Sequence, residues 1–176
     1  WTDDLKEIPY YRYGDSQQAF FESWDKSQAP FAIIEGSAAT FLVPICDKNN
    51  ILNSSYGNKK EVYRFKTLDE MLDWYASFVK QYDAYSGLDY YAKDPWNQDI
   101  RAKFFIKANA HGAGQAYYTT DHSAYNGKSL ETYLVRDWLS LHEFGHGYEG
   151  AIAAQENPFV ETTNNILGYY FEPTYR

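Results

Sequence analysis

The strongest periodic pattern in the chain runs from Thr67 to Gln81. Leu68, Met71, Leu72, Tyr75, Phe78, Val79 and, just beyond, Tyr82 recur at the i, i+3, i+4, i+7 spacing that gathers apolar side chains on one face of an α-helix. Thr67 can cap this helix, Glu70 three residues on makes a capping box, and Gly87 is expected to end the segment. Such a helix should cover one face of a sheet. Strands are expected over residues 30–36 (PFAIIEG) and 40–45 (TFLVPI), with Gly36-Ser37-Ala38-Ala39 turning between them. Pro44 has no N–H, so the second strand should be an edge or an end there. Ala102 to Asn109, with Phe104 and Ile106 on one face, and Gln115 to Thr119 read as two more strands, separated by the glycine turn at His111-Gly112-Ala113-Gly114. Residues 1–29 show little period apart from a short helix expected over Gln17 to Trp24. Asp47 to Lys60 and Asp89 to Gln98 read as loops. A further helix carries the apolar run Tyr133, Leu134, Val135, Trp138, Leu139, Leu141. Ser129 is its expected N-cap, Glu131 sits in its first turn, and Gly147 or Gly150 should end it in the left-handed conformation.

Composition narrows the possibilities. A chain of 176 residues suffices for one domain with a real core. A formal net charge of −8 disfavours long-range attraction to nucleic acid. No apolar run is long enough for a transmembrane helix. The chain begins at Trp1 with neither an initiator methionine nor a signal-peptide pattern, so it reads as a processed or excised piece. Its one cysteine, Cys46, cannot form an internal disulfide. Asn53-Ser54-Ser55 matches the N-glycosylation acceptor pattern, a weak pointer to secretion. The 18 tyrosines are unusual. They would suit sugar stacking or wet interfaces, or a core that uses tyrosine where others use leucine. His111-Gly-Ala-Gly is not a dinucleotide fingerprint, because Tyr117 stands at the third glycine, and Gly127-Lys128-Ser129 lacks the earlier glycine of a phosphate loop.

The stretch that carries chemistry is Leu141-His142-Glu143-Phe144-Gly145-His146. On a helix, residues four apart lie side by side one turn up, so His142 and His146 can reach one ion. Neutral imidazole is a good zinc ligand. Glu143 lies about 100° round the helix, placed to touch a metal-activated water rather than the metal. Three ionisable residues in an apolar setting need a reason, because buried charges are costly unless paired or metal-bound. Gly145 inside the motif points to another backbone packed close by.

A catalytic zinc site takes three protein ligands. A third histidine six residues after the second would be metzincin-like, but that position is Ile152. Glu149, three residues past His146, could not easily wrap round to complete a tetrahedron. Glu161 begins a segment that should be helical, just after a proline, and a packed helix holds a carboxylate rigidly. Glu161 is the preferred third ligand and Glu156 the alternative. Asn165, four residues after Glu161, shares its face and could accept the free ring N–H of His142 or His146.

His142-Glu143-x-x-His146, fourteen intervening residues and Glu161 resemble the gluzincin metallopeptidases, which hold zinc by two histidines and a glutamate. Gly114-Gln115-Ala116-Tyr117-Tyr118, residues 138–146 and Glu161-Thr162-Thr163-Asn164-Asn165-Ile166 are similar to the enhancin-type, mucin-degrading branch; residues 30–36 and 82–88 resemble it more weakly. The resemblance implies an α+β, zincin-like catalytic domain: a small mixed sheet, then the active-site helix, then a glutamate-bearing helix, with residues 1–176 a single catalytic subdomain of a longer protein. It implies Zn2+ as cofactor, Glu143 as general base, and cleavage of glycosylated, mucin-like proteins outside the cell. It also makes 114–118 an edge strand beside the cleft, where Ala116, Tyr117 and Tyr118 would line the substrate groove. His122 is a weaker contact candidate, and Tyr169 or Tyr170 could donate to the oxyanion. Three rivals stay open: a glycan-binding module derived from a peptidase, a structural module of a larger assembly, and a generic secreted zinc endopeptidase.

Overall fold

Alternating burial along short strands builds one six-stranded sheet, in the order β1-β2-β3-β4-β6-β5. The strands are β1 (Tyr10–Arg12), β2 (Phe31–Glu35), β3 (Ala39–Pro44), β4 (Phe104–Ala108), β5 (Ala116–Tyr118) and β6 (Ser123–Tyr125). The structure, a computed structural model, describes residues 5–53, 63–99, 103–112, 114–149 and 160–171. Glu156, Gly150, Ala102, residues 54 and 55 of the glycosylation triplet and the far end of the 47–60 loop therefore lie outside the described residues. The sheet is mixed. Pairs β1–β2, β3–β4 and β4–β6 are parallel; β2–β3 and β5–β6 are antiparallel. Pro44 ends β3 opposite Phe31, as its missing N–H requires.

Register puts one row of large residues on one face. Ile34 pairs with Phe41, which pairs with Ile106, which pairs with Ser123. Ile34, Phe41, Ile106 and Ser123 are all buried. Against this face lies α2 (Leu68–Ser86), with Phe41 edge-on to Tyr75 at 4.9 Å between ring centroids. Thr67 caps α2 by accepting from Glu70 N–H at 3.0 Å. The reciprocal half of the expected box differs, because the Glu70 carboxylate turns back to Lys66 N–H rather than to that of Thr67. Gly87 ends the helix at φ 70°, a conformation glycine adopts without a Cβ penalty. The short helix expected over 17–24 is α1 (Gln17–Ser27).

Two further helices follow, α3 (Trp138–His146) and α4 (Val160–Phe171). The start of α3 is a correction. It is capped by Asp137, whose Oδ1 accepts from Leu139 N–H at 2.9 Å, not by Ser129. Ser129 donates instead to buried Asp47 and accepts from Glu131 N–H, opening a 3-10 turn over Glu131–Leu134. Val135 is then extended and bridges to Arg64. The apolar run thus belongs to two elements. The helix also ends differently, since Gly147 is right-handed, at φ −64°. Glycine is needed there for space: an added Cβ would lie 2.9 Å from Tyr118 Oη and 3.0 Å from the Phe104 ring.

The tyrosine question resolves both ways. Tyr11, Tyr75, Tyr82 and Tyr133 are buried, whereas Tyr13, Tyr85, Tyr90, Tyr91, Tyr169 and Tyr170 are exposed. The buried rings fill the core while their hydroxyls find polar partners: Tyr11 donates to Asp69 Oδ1 at 2.8 Å, Tyr133 shares a hydrogen bond with Ser123 Oγ at 2.6 Å, and two reach main-chain carbonyls. Tyr75 donates to Tyr133 O at 2.8 Å, and Tyr82 to Leu141 O at 3.1 Å. Burial of such rings is favourable only when the hydroxyl finds a partner.

Candidate metal centre

The sequence of α3 fixes which way its ionisable groups face. Leu141 and Phe144 are buried, and the Phe144 ring sits 4.4 Å from Phe104 of the sheet and 5.0 Å from Phe78 of α2. That anchors one side of the helix and turns His142 and His146 to the other, with ring centroids 4.9 Å apart and planes nearly perpendicular.

Helix α4 runs antiparallel to α3 at close range. An added Cβ on Gly145 would lie 2.6 Å from Asn164 Cα, and one on Gly168 would lie 3.1 Å from the Trp138 ring. Absent side chains at these two points let the backbones approach. Leu167 and Phe171 of α4 are buried, Phe171 against Phe78 at 5.7 Å. Glu161, on the first turn of α4, is thereby carried to the imidazoles. Its Oε2 lies 3.2 Å from His142 Nε2 and 3.7 Å from His146 Nε2.

Each imidazole is held from behind. His142 Nδ1 lies 2.9 Å from Asn165 Oδ1, an acceptor, and 3.2 Å from Asn164 Nδ2. His146 Nδ1 lies 3.1 Å from Oε2 of Glu149, a buried carboxylate. With the proton on Nδ1 of each ring, both Nε2 atoms would offer lone pairs beside the Glu161 oxygen. These three ligand atoms lie within 4.8 Å of one another, the one such grouping among the described residues. Ligands about 2.0–2.1 Å from a tetrahedral ion stand about 3.3 Å apart, close to the two distances given above. The donor set, two neutral imidazoles and a carboxylate, also suits zinc. Asn164, wholly buried, has Nδ2 3.2 Å from His142 Nε2 and 3.1 Å from His146 Nε2.

Glu143 is 4 % exposed, and among the described residues its Oε2 has no hydrogen-bond partner. Burial raises its pKa above the ordinary carboxylate value; the nearby His142 and His146 oppose that rise and Glu161 adds to it.

The other candidates fall nearby or apart. β5, bearing Ala116, Tyr117 and Tyr118, closes the sheet at one edge and is antiparallel to β6. Tyr118 packs toward Gly147 at the end of α3. Tyr117 donates to or accepts from His122 Nε2 at 3.2 Å and accepts from Asn109 Nδ2 at 2.9 Å. His122 thus joins Tyr117 and Asp121 rather than the imidazole pair. Tyr169 and Tyr170 are exposed on α4, not stacked in the core, and share a recess of about 450 Å³ with Glu161 and Asn165. Sequence reasoning missed Glu149 and Asn164. Glu149 reads from the sequence only as a poor third ligand, whereas its i+3 spacing from His146 places its carboxylate against the Nδ1 side of that ring.

The profile of the family described as peptidase M60, enhancin and enhancin-like, matches residues 6–176. The chain belongs to this family. It is 26% identical over 169 residues to a viral-enhancing factor of Trichoplusia ni granulosis virus, covering 91% of this chain and 16% of that protein. Two solved structures from Clostridium perfringens share the fold. The catalytic module of the metalloprotease ZmpA superposes with a TM-score of 0.69 at 18% identity, over 96% of this chain and 33% of that one. The M60 catalytic domain of ZmpC, in complex with the sialyl T antigen, gives 0.69 at 17% identity, over 97% and 33%. The chain thus spans about a sixth of its viral relative and a third of each solved chain. These likenesses establish the α+β, zincin-like fold of an M60 metallopeptidase. No helix among the described residues is long and apolar enough to cross a membrane.

Proposed function

We propose that this chain is the metal-bearing part of a zinc-dependent endopeptidase that cleaves glycosylated, mucin-like proteins outside the cell. The observation that carries the reading is the convergence of His142 Nε2, His146 Nε2 and Glu161 Oε2, with both rings fixed from behind. Those three residues would hold zinc, and Asn165 would keep His142 in the tautomer that frees Nε2. Bound there, zinc supplies a Lewis acid that polarises a scissile carbonyl and acidifies water.

The remaining work falls to the chain. Glu143, adjacent to His142 and buried with one oxygen unpartnered, is free to take the proton of the attacking water. Its raised pKa brings it nearer the range in which a carboxylate both accepts a proton and returns it to the leaving amine. The outer edge of β5, unpaired among the described residues, would offer main-chain donors and acceptors to an extended peptide, and Ala116, Tyr117 and Tyr118 would line the groove. Glycan recognition is supported by a structural neighbour solved in complex with the sialyl T antigen.

A matched pair of peptides, one O-glycosylated and one bare, tests the proposal. Cleavage of the glycosylated peptide, abolished by a chelator and by Glu143→Gln, is the expected result. Equal cleavage of both would make this a generic zinc endopeptidase. Glycan binding with no cleavage by a zinc-loaded protein would make it a binding module.

A further inference from the structure

We infer that Glu149 is a positioning residue for the metal centre, acting through His146; this rests on the reading that His142, His146 and Glu161 hold a metal. The side chain is 5 % exposed. Its Oε2 lies 3.1 Å from His146 Nδ1, and among the described residues its Oε1 has no hydrogen-bond partner. A carboxylate so buried costs free energy unless a polar partner meets it, and among the described residues its Oε2 meets the His146 ring. The contact does two things. A carboxylate facing Nδ1 favours the proton on that nitrogen, which leaves Nε2 toward Glu161. It also places a negative charge behind the ring, which makes Nε2 a stronger electron donor.

The two imidazoles are therefore unequal. His142 is backed by a neutral amide, Asn165 Oδ1 at 2.9 Å, and His146 by a carboxylate. The arrangement also brings a second anionic group to a centre that has one carboxylate ligand, and a dication is favoured accordingly. The position of Glu149 follows from its spacing. Residues three apart on a helix are neighbours, and i→i−3 turns carry the chain on from α3, with Gly147 N–H donating to Phe144 O at 3.0 Å, Tyr148 N–H to Gly145 O at 3.0 Å and Glu149 N–H to His146 O at 3.3 Å. The carboxylate thereby stays beside the ring.

The test is zinc affinity of metal-stripped protein, measured by competition with a chromogenic chelator, for the parent, Glu149→Ala and Glu149→Gln. Melting temperatures of the metal-free proteins are recorded alongside. Loss of a partner behind a ligand histidine typically costs about 10–100-fold in metal affinity, and that loss is expected for Glu149→Ala. Glu149→Gln keeps an acceptor but not the charge and should fall between the two. Metal-free melting separates a loss of zinc affinity from a general loss of fold, because Glu149→Ala also removes buried side-chain atoms. If Glu149→Ala does not fold, the near-isosteric Gln variant decides. Parent-like zinc affinity in either folded variant overturns the inference while leaving the metal site standing. Absence of zinc binding by the parent overturns both.

Discussion

Replacing Gly145 by alanine tests whether contact between α3 and α4 sets the metal geometry. In an open helical position the change would stabilise by about 1 kcal/mol, because alanine loses less backbone entropy than glycine. Here the new Cβ would lie 2.6 Å from Asn164 Cα, 2.6 Å from its Cβ and 3.0 Å from its carbonyl oxygen. Ordinary contact begins at 3.4 Å, so α4 must retreat by close to an ångström. Two of the three obstructing atoms are backbone and cannot rotate away. Overpacking costs about 1–3 kcal/mol, and obstruction by backbone puts this case at the upper end, so that after the gain of about 1 kcal/mol a net loss of about 2 kcal/mol remains, a fall in Tm of about 4–8 °C for a chain of this size. The retreat would also carry Glu161 from the imidazoles and weaken zinc binding. Thermal melting with and without zinc reads both effects. A Tm equal to or above the parent's, with unchanged zinc affinity, would refute the close approach.

Three further outcomes follow from the same geometry. Glu143→Gln should retain zinc, because Glu143 is not among the converging ligands, and should lose turnover by about 10²–10⁴-fold; steady-state kinetics on a glycopeptide with metal analysis checks this. Tyr75→Phe removes a buried donor to Tyr133 O and Ser140 Oγ, and should cost about 1–3 kcal/mol in denaturant unfolding; a cost near zero would show that the hydroxyl is dispensable. Burial alone would raise the Glu70 pKa, but Lys66 N–H and the Arg136 guanidinium outweigh it and hold it below the ordinary value. The stability it contributes is therefore complete above about pH 4.3 and is lost as pH falls through the lower folded-state pKa. Glu70→Gln should remove that part of the acid dependence, with a small loss at neutral pH because the pair is partly solvated.

Much of the scaffold was legible because its signals are local. The period of α2, its Thr67 cap and its Gly87 stop all appear in the sequence, as do the burial alternation of β2 and β4 and the glycine at 145. β1 and β6 were not read. Each has three residues, too few to show a period, and each is a strand only by virtue of its partner. The start of α3 was misplaced because Tyr133, Leu134 and Val135 are apolar for a different reason. They pack a 3-10 turn and an extended residue, and the turn is held by buried Asp47 from far upstream through Ser129 and Leu130 N–H. Within the site, the histidine pair follows from helical spacing alone. The placement of Glu161 depends on how α4 docks, which the glycines at 145 and 168 only hint at. The i+3 spacing of Glu149 from His146 is visible in the residue order, but which ring nitrogen it meets depends on how the two side chains turn.

The central claim is that two imidazoles from α3 and a carboxylate from α4 hold a single metal ion. Metal content of purified protein, by mass spectrometry of the elements, tests it most directly when parent and Glu161→Ala are compared. The account predicts one zinc ion per chain in the parent and its loss in the variant, with the variant still folded. A variant that keeps its full zinc content, or a parent that takes up none when zinc is supplied, would contradict it.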